Sequence, residues 1–225
     1  MLNRIWKALP MQWCSQVALL LLVMSGSASA DLLDDALMRY SKVETYQATL
    51  RSSAVPGGPF REIIRYSYKK PGWVRMDFRK PHNGLVLIHD PENNGVRLWP
   101  LEPKGPDFSL SPDNGLLRSG GGERVDRSDI GTLLHRAIRL RESGNAQVLG
   151  EEEQVNHRDT VHLRVIGGAG EKVEGVHRFD LWLDDRTLMP LKVEAYDDHD
   201  APLDIVLMDD LQVDVPLQDR AFREP

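Results

Sequence analysis

The segment that decides the fold covers residues 66–81 and reads YSYKKPGWVRMDFRKP. Within it apolar and charged side chains alternate, with Val74, Met76 and Phe78 on one side and Arg75, Asp77 and Arg79 on the other. A period of two places the two sets on opposite faces of a β-sheet, one facing apolar groups and one facing water. Proline lacks the N–H that a β-ladder requires, so Pro71 and Pro81 are expected to mark strand boundaries.

The amino-terminal region has the pattern of a secretory signal peptide. Two basic residues precede an apolar run, 17–24, and a small-residue site that ends at Ala30 follows it. This order predicts cleavage after Ala30, so that 1–30 is a signal peptide and 31–225 is a single mature domain. The apolar run is shorter than the ~20 residues that a membrane-spanning helix needs, and no later segment approaches that length. We therefore expect an exported, soluble product.

Composition narrows the class of protein further. The only cysteine, Cys14, lies in the predicted leader, so the mature part has no disulfide and no cysteine for a lipid anchor. Removal of 30 of the 225 residues leaves 195, a size usual for one domain. The leader holds two of the 28 basic residues and none of the 34 acidic ones, so the mature net charge is 26 minus 34, or −8. An acidic surface argues against nucleic acid as a partner and against electrostatic docking to anionic lipid.

The remaining sequence predicts two helices and a series of strands. An apolar stripe with acidic residues in its first turn predicts a helix over 31–40, and a second stripe predicts a helix over 128–141 that Ser128 can cap. The polar, glycine-rich segment 112–127 is expected to be a mobile loop. Short segments rich in β-branched and aromatic residues, separated by Pro, Gly and Asn, predict antiparallel hairpins. These predicted strands span 43–54, 60–70, 73–80, 84–89, 95–101, 106–111, 146–154, 158–167, 175–184, 189–197 and 203–214.

These elements predict an α+β fold, in which a strongly curved antiparallel sheet of about ten or eleven strands forms an incomplete β-barrel. A sheet with one polar face must cover its apolar face, and two short helices are too few to cover strands spaced ~4.8 Å apart over that width. A sheet that curls over the helices would meet this requirement and leave an apolar cavity. The helices would then form a lid over a cavity suited to apolar ligands.

Four segments of the chain together resemble the LolA-like superfamily, which includes periplasmic lipoprotein carriers. They follow one another through most of the predicted mature chain, at 68–78, 85–99, 181–194 and 211–222. The resemblance implies an incomplete β-barrel with helices as a lid over a cavity that accepts the acyl chains of lipoproteins or other lipids. It also implies a periplasmic location, with an inner-membrane donor or an outer-membrane acceptor protein as a partner. We expect a monomer.

Twelve apolar residues are predicted to line the cavity, because they lie on the apolar faces of the strands and of the second helix. They are Val74, Met76, Phe78, Leu85, Leu87, Leu98, Ile130, Leu133, Leu134, Ile138, Phe179 and Leu181. The alternative for Val74, Met76 and Phe78 is that they are ordinary core, which apolar alternation usually indicates. The same choice between ligand contact and packing applies to Trp73, Trp99 and Trp182.

One polar residue is singled out by the resemblance. In LolA-like carriers a functionally important arginine directly precedes the proline at the start of a strand, and the matching position here is Lys70. The resemblance therefore implies that Lys70 helps to hold the lid or to handle cargo. Lysine keeps the positive charge but lacks the planar set of donors of arginine, so the two residues are not equivalent.

The sequence carries no motif for catalysis or for a metal site. The seven histidines do not show the spacings of a zinc site, and no Gly-x-Ser-x-Gly motif marks a nucleophile. Residues 197–200, Asp-Asp-His-Asp, could bind a cation, but a solvated turn is the favoured interpretation. Residues 90–95 are interpreted as a hairpin turn and the glycines at 120–122 as a hinge. We therefore expect no metal, no cofactor and no enzymatic activity.

The sequence thus predicts an exported, non-enzymatic carrier of lipoprotein acyl chains or other lipids. The alternative is a lipid-sensing regulatory module that acts on a membrane signalling partner. The helix predicted over 128–141 is expected to be the gate of the cavity. On that expectation Leu134→Asp would weaken ligand binding more than it would disturb folding.

Overall fold

A computed structural model describes residues 25–100, 106–117 and 124–224 of the chain. Most of the predicted signal peptide and the glycines at 120–122 lie outside these residues. Cleavage after Ala30 therefore stays a prediction, as does the division into a leader and one mature domain. Of the helices in the described ranges, none is long and apolar enough to cross a membrane.

Two helices and eleven strands form the described part of the chain. The helices are α1 (Ser25–Tyr40) and α2 (Ile130–Ser143). Short 3₁₀ turns occur at Gly115–Leu117, Val125–Arg127 and Asp219–Phe222. The strands are β1 (Thr45–Ser53), β2 (Glu62–Lys69), β3 (Trp73–Lys80), β4 (Val86–Asp90), β5 (Gly95–Trp99), β6 (Phe108–Leu110), β7 (Asn145–Val155), β8 (Arg158–Ile166), β9 (Arg178–Asp184), β10 (Pro190–Tyr196) and β11 (Pro202–Val213).

All eleven strands belong to one antiparallel sheet with the order β6-β5-β4-β3-β2-β1-β11-β10-β9-β8-β7. β1 and β11, from opposite ends of the described chain, pair at the centre of the sheet. The sheet is not closed, since β6 and β7 form its two edges. This architecture confirms the predicted α+β fold, a curved and incomplete barrel with a helical lid.

Each predicted strand is present, and the bounds agree closely at most positions. β3 spans Trp73–Lys80, so Pro71 and Pro81 lie just outside the strand, as predicted. The largest difference is at β9, which begins at Arg178, three residues later than predicted. The residues before Arg178 instead form a tight turn closed by an isolated bridge between Val173 and Val176, so they cannot join the ladder.

The alternation within β3 has the predicted result. On the inner face of the sheet, defined here as the face toward the helices, Val74 and Met76 are buried and Phe78 is half-buried. On the outer face, Arg75 donates to both carboxylate oxygens of Asp77 at 2.8 to 3.0 Å. The period of two in the sequence therefore separates an apolar face from a charged one.

The helix starts differ from the predictions. Within the described residues α1 spans Ser25–Tyr40, so it includes six residues ahead of the predicted start. The cap of α2 is Asp129, not Ser128: its carboxylate accepts from the N–H of Thr132 at 3.1 Å and from its hydroxyl at 2.6 Å. Ser128 lies one position too early to cap, and it donates to the carbonyl of Val125 at 2.8 Å. The predicted cap is wrong by one residue.

The main core lies between the inner face of the sheet and the two helices. From α1 it contains Leu33 and Ala36, and from α2 it contains Leu134, Ala137 and Leu140, all with no exposed area. Complete burial of one large apolar side chain contributes about 1.5–3 kcal/mol. Both helices are therefore held to the sheet by their apolar stripes.

Four tyrosines fix the start of α2 above the sheet. Tyr46 stacks on Tyr66 and on Tyr68, with ring centroids 5.7 and 5.0 Å apart. The N–H of Ile130 donates to the Tyr46 hydroxyl at 3.1 Å, and the Tyr40 hydroxyl donates to the capping carboxylate of α2 at 3.0 Å. Burial raises the pKa of the Tyr46 and Tyr66 hydroxyls, so both stay neutral. The amino-terminal end of α2 is therefore anchored by polar as well as apolar contacts.

Two smaller apolar clusters lie on the outer face. The first contains Val86, Ile88, Trp99 and Phe222, with Trp73 packed against it. The second contains Val155, Trp182 and Leu191. Trp73, Trp99 and Trp182 thus pack on the opposite face from the helices, which favours packing over ligand contact for all three.

Candidate ligand cavity

An apolar cavity of about 230 Å³ lies between the inner face of the sheet and the start of α2. Strand residues from the centre of the sheet and from β3 to β5 form its floor, while Ile130 and Leu133 of α2 form part of its roof. Leu117 and Val125, on either side of residues 118–123, also line it. The cavity is therefore bounded by the sheet, by α2 and by the segment that leads into α2.

The structure brings seven of the twelve predicted residues together in the cavity wall: Met76, Phe78, Leu85, Leu87, Leu98, Ile130 and Leu133. The other five lie in the main core, away from the wall. Of these, Val74, Leu134, Phe179 and Leu181 are at most 2% exposed, and Ile138 is half-buried against the same core. Packing is the role that the structure shows for these five, and ligand contact by the seven wall residues stays a prediction.

Sequence reasoning missed five apolar strand residues of the wall: Leu50, Ile64, Val193, Val206 and Met208. Their common feature is the central strand pairing, in which Leu50 of β1 lies opposite Met208 of β11 and opposite Ile64 of β2. The alternation of apolar and polar residues within each strand could have indicated which side chains face inward. The pairing of β1 with β11, however, joins residues about 150 positions apart. No local pattern specifies such a long-range register.

Charged side chains lie along one part of the cavity wall. Arg124, Arg127 and Arg136 line it. Arg124 donates to the two oxygens of Asp126 at 2.9 and 2.8 Å, while Glu174 accepts from Arg127 at 2.7 Å and lies 3.3 Å from Arg136. Burial alone would raise the pKa of Asp126, but the Arg124 guanidinium outweighs burial and lowers it, so the carboxylate is ionised. An amphiphilic ligand would meet both an apolar wall and charged groups here.

Lys70 is not among the described residues that line the cavity. It lies in the turn between β2 and β3, where its ammonium donates to the carbonyl of Ser41 at 2.7 Å and to the carboxylate of Glu44 at 3.1 Å. These bonds tie the β2–β3 turn to the segment that follows α1. A role of Lys70 in handling cargo would therefore act through the position of α1 and stays a proposal.

Lys70→Leu is expected to change ligand release more than folding. The ion pair with Glu44 is exposed on the Glu44 side, and such pairs contribute about 0–1 kcal/mol, which corresponds to a fall in Tm of at most about 4 °C. Release would change because the link between Ser41 and the β2–β3 turn would be lost. Transfer of a fluorescent lipid between donor and acceptor vesicles measures this, with Lys42→Leu, an exposed lysine of the same segment, as the control. Equal transfer rates for wild type and Lys70→Leu would exclude a cargo-handling role.

A second polar cluster, centred on His162, lies on the outer face. The His162 ring stacks on Trp182 with centroids 4.0 Å apart, and its Nδ1 lies 3.0 Å from Glu153 Oε1. Its Nε2 lies 3.6 Å from Asp180 Oδ1, beyond hydrogen-bond length, and Asp180 accepts from Arg164 at 2.7 Å. Burial alone would lower the pKa of His162, but the two carboxylates outweigh burial and raise it. This network joins β7, β8 and β9, and its strength depends on pH.

The protein is expected to be more stable near pH 6 than near pH 9. Because the folded-state pKa of His162 is raised, its contribution is fully present below about pH 6.5 and is lost as the pH rises through the folded pKa. The pKa values of Glu153 and Asp180 are lowered, so their contribution is present above about pH 4.5 and is lost only as the pH falls further. Urea unfolding at pH 6 and pH 9 measures the difference in free energy of unfolding.

The matched variants for this measurement are His162→Gln, which should remove the pH-dependent difference, and His157→Gln at an exposed position, which should keep it. A wild-type free energy of unfolding that did not fall between pH 6 and pH 9 would contradict the assignment.

The acidic segment at residues 197–200 forms the turn between β10 and β11. Asp197 Oδ1 accepts from the N–H groups of His199 and Ala201, both at 2.8 Å, which is the geometry of the turn that the sequence favoured. In the β4–β5 turn, Asp90 accepts from the N–H of Glu92 at 2.8 Å. Within the described ranges, no group of three or more His, Cys, Asp and Glu residues is placed to hold a metal ion.

No protein-family model matches the sequence. No curated protein matches it either. Solved structures do match. A chain in the complex structure of Pseudomonas aeruginosa MucA/MucB aligns with 88% of this chain at 16% identity and a TM-score of 0.53, and 62% of that chain is covered. Mycobacterium tuberculosis lipoprotein LppX aligns with 85% of this chain at 9% identity and a TM-score of 0.52, with 97% of that chain covered.

A LolA superfamily protein from Nitrosomonas europaea also aligns with 86% of this chain and 96% of its own, at 14% identity and a TM-score of 0.35, a score too low to carry weight. At these identities the likenesses concern the fold alone. The class that the open antiparallel sheet and its helical lid define is the LolA-like fold. This chain has that fold, as the resemblance in its sequence implied.

Proposed function

We propose that this protein is an exported, periplasmic carrier or binding protein for the acyl chains of lipoproteins or other lipids. The observation that supports the proposal most strongly is the cavity between the inner face of the sheet and α2, with its wall of Leu, Ile, Val, Met and Phe side chains. Largely apolar cavities with a few charged groups are typical of sites for amphiphilic ligands. Binding requires no reaction, so the proposed role is not enzymatic.

The driving force for binding would be removal of methylene groups from water. Each methylene that leaves water contributes about 0.8 kcal/mol, before the cost of ordering the chain is subtracted. The cavity volume of about 230 Å³ lies below the range of about 300–1,000 Å³ that is typical of small-molecule sites. A cavity of this volume would hold part of one acyl chain. A longer chain or a second chain would require the lid to move.

The wall also indicates how an amphiphile would be oriented. The methylene groups would contact the strand residues and Leu133, whereas a polar end would lie near Arg124 and Arg127. Arg127 is exposed, so the polar end of the ligand would stay in contact with solvent. An orientation of this kind avoids the cost of burying a polar head group in an apolar site.

Mass spectrometry of lipid extracted from gently purified protein tests the proposal. The expected result is a lipid or acylated peptide in near-stoichiometric amount, together with saturable binding of a fluorescent fatty acid by the delipidated protein. Absence of extracted lipid together with absence of fatty-acid binding would refute the proposal. Identification of the extracted species would also show which acyl donor the protein meets.

The second candidate function is a lipid-sensing regulatory module that acts on a membrane signalling partner. The observation that favours it is the match to a chain in the MucA/MucB complex, since that structure contains two protein partners. This chain covers 62% of the matched one, so the likeness extends to a part of it. The two candidates differ in their ligand dependence: a carrier would transfer lipid between vesicles, whereas a sensor would bind or release a protein partner when lipid is added.

A further inference from the structure

A second pocket, of about 330 Å³, lies on the outer face of the sheet beside the β3–β4 turn. Among the described residues of its wall, three arginines, Arg65, Arg75 and Arg79, face one carboxylate, Asp77. The described residues of the wall thus carry three positive charges and one negative charge, whereas the whole chain carries a net charge of −6. A local concentration of positive charge on an acidic protein indicates a site for an anion.

The three arginines differ in their contacts. Arg75 is already bonded: it pairs with Asp77, and it donates to two carbonyls of the C-terminal segment at 2.8 and 2.7 Å. These bonds hold the C-terminal segment beside the pocket. Arg65 and Arg79 are exposed, and within the described part of the chain neither forms an ion pair or a hydrogen bond. Their guanidinium groups are therefore available to a ligand.

Neutral donors complete the wall. Ser67 is 4% exposed and accepts from Gln47 Nε2 at 2.8 Å, and its own hydroxyl proton has no acceptor among the described residues. Asn83 adds an amide from the β3–β4 turn. Gly84 has a φ of 89°, a conformation that favours glycine and that lets this turn close beside the pocket. Several hydrogen-bond donors of the wall therefore have no partner among the described residues.

We propose that this outer-face pocket binds a phosphoryl group, carried by a soluble phosphate ester or by a phospholipid head group. Arg65 and Arg79, on neighbouring strands, present planar sets of donors that match phosphate oxygens in pairs. The excess of positive charge among the described wall residues suits a phosphate monoester, which carries a charge of about −1.5 to −2 at pH 7. The proposal rests on these outer-face arginines and does not depend on the acyl-chain function.

The pocket adjoins the apolar cavity. Phe78 and Leu85 belong to the walls of both, so the two sites meet across the β3–β4 hairpin. The proposal therefore assigns a binding role to the charged face of residues 66–81. The alternation in the sequence predicts only that this face contacts water.

The test uses the mature protein and a double variant, Arg65→Gln with Arg79→Gln. The matched control is Arg139→Gln with Arg186→Gln, which removes the same charge from exposed arginines that do not line the pocket. Isothermal titration calorimetry with inorganic phosphate at low ionic strength measures the affinity for a soluble phosphate. Co-sedimentation with phosphatidylcholine vesicles, with and without phosphatidic acid, measures binding to a phospholipid head group. Circular dichroism and Tm establish that all variants are folded.

The expected result is saturable binding by wild type and by the control, with the dissociation constant raised about tenfold or more in the double variant. Phosphate binding without retention of the protein on vesicles would identify a soluble phosphate ester as the ligand. Retention of the protein on vesicles that requires phosphatidic acid, and that free phosphate competes for, would identify a phospholipid head group. Equal loss in the control and the double variant would show attraction by net charge alone and would overturn the proposal. The proposal would also be overturned if the wild-type protein bound neither inorganic phosphate in the titration nor the vesicles in co-sedimentation.

Discussion

Leu134→Asp is expected to unfold the protein. Leu134 has no exposed area and lies in the main core between α2 and the sheet. A buried, unpaired carboxylate costs several kcal/mol, in addition to the lost packing of leucine, and the total is comparable with the about 5–15 kcal/mol that stabilises a typical domain. The sequence alone led to the opposite expectation for this variant, because the apolar stripe does not show which of its residues face the cavity.

Thermal unfolding followed by circular dichroism measures this effect, and Leu134→Met is the matched control. A volume-conserving apolar substitution costs less than about 1.5 kcal/mol, so that variant should keep a cooperative transition. A folded Leu134→Asp protein with a Tm near that of wild type would mean that α2 leaves the sheet readily. That result would contradict the conclusion that the four tyrosines anchor α2 to the sheet.

Leu133→Asp is expected to keep the fold and to lose ligand binding. Leu133 precedes Leu134 by one residue, but it is half-buried and lies in the cavity roof. Its carboxylate can reach solvent in the empty protein, whereas an acyl chain in the cavity would bury the charge against methylene groups. We expect the affinity for a fluorescent fatty acid to fall by at least about tenfold, equivalent to about 1.4 kcal/mol.

The matched control for Leu133→Asp is Ile138→Asp on the same helix. Both residues are half-buried and pack against the main core, but Ile138 is not among the described residues that line the cavity. Fluorescence titration of both variants should therefore show a large loss of affinity for Leu133→Asp and a small one for Ile138→Asp. Equal losses, or a Leu133→Asp protein that binds as tightly as wild type, would place the acyl chain elsewhere.

The sequence was sufficient to predict the secondary structure and the fold class. In β3 the alternation of Val74 and Met76 with Arg75 and Asp77 is strict, and each residue lies on its predicted face. Turn residues such as Pro71 and Pro81 separate the strands cleanly, and each predicted strand is present among the described residues. Local patterns of this kind can be recognised in a sequence because they depend only on residues that are neighbours in it.

The cavity could be predicted only in part, because its wall depends on contacts between distant residues. Whether Ile130 or Leu134 faces the cavity depends on how α2 is rotated over the sheet, and both belong to the same apolar stripe. The contribution of Met208 depends on the pairing of β11 with β1, which joins the two ends of the described chain. Periodicity identifies an apolar face but does not divide that face into packed core and cavity wall.

The outer-face pocket was missed for a different reason. Arg65, Arg75 and Arg79 alternate with apolar residues, and alternating charges normally indicate a solvated strand face. Their convergence beside one carboxylate requires β2 and β3 to pair in the observed register, with Arg65 opposite Asp77. The sequence therefore placed Arg75 and Arg79 on the correct face, but it led to no prediction for Arg65 and gave no sign that the three arginines share a pocket.

The central claim is that an acyl chain occupies the cavity between α2 and the inner face of the sheet. Photo-crosslinking with a fatty acid that carries a diazirine in its chain, followed by peptide mass spectrometry, tests this claim most directly. We predict that label will be found on wall residues such as Phe78, Leu98 and Leu133, and that excess unlabelled fatty acid will suppress it. Label confined to the outer face, or label that unlabelled fatty acid does not compete for, would contradict the account.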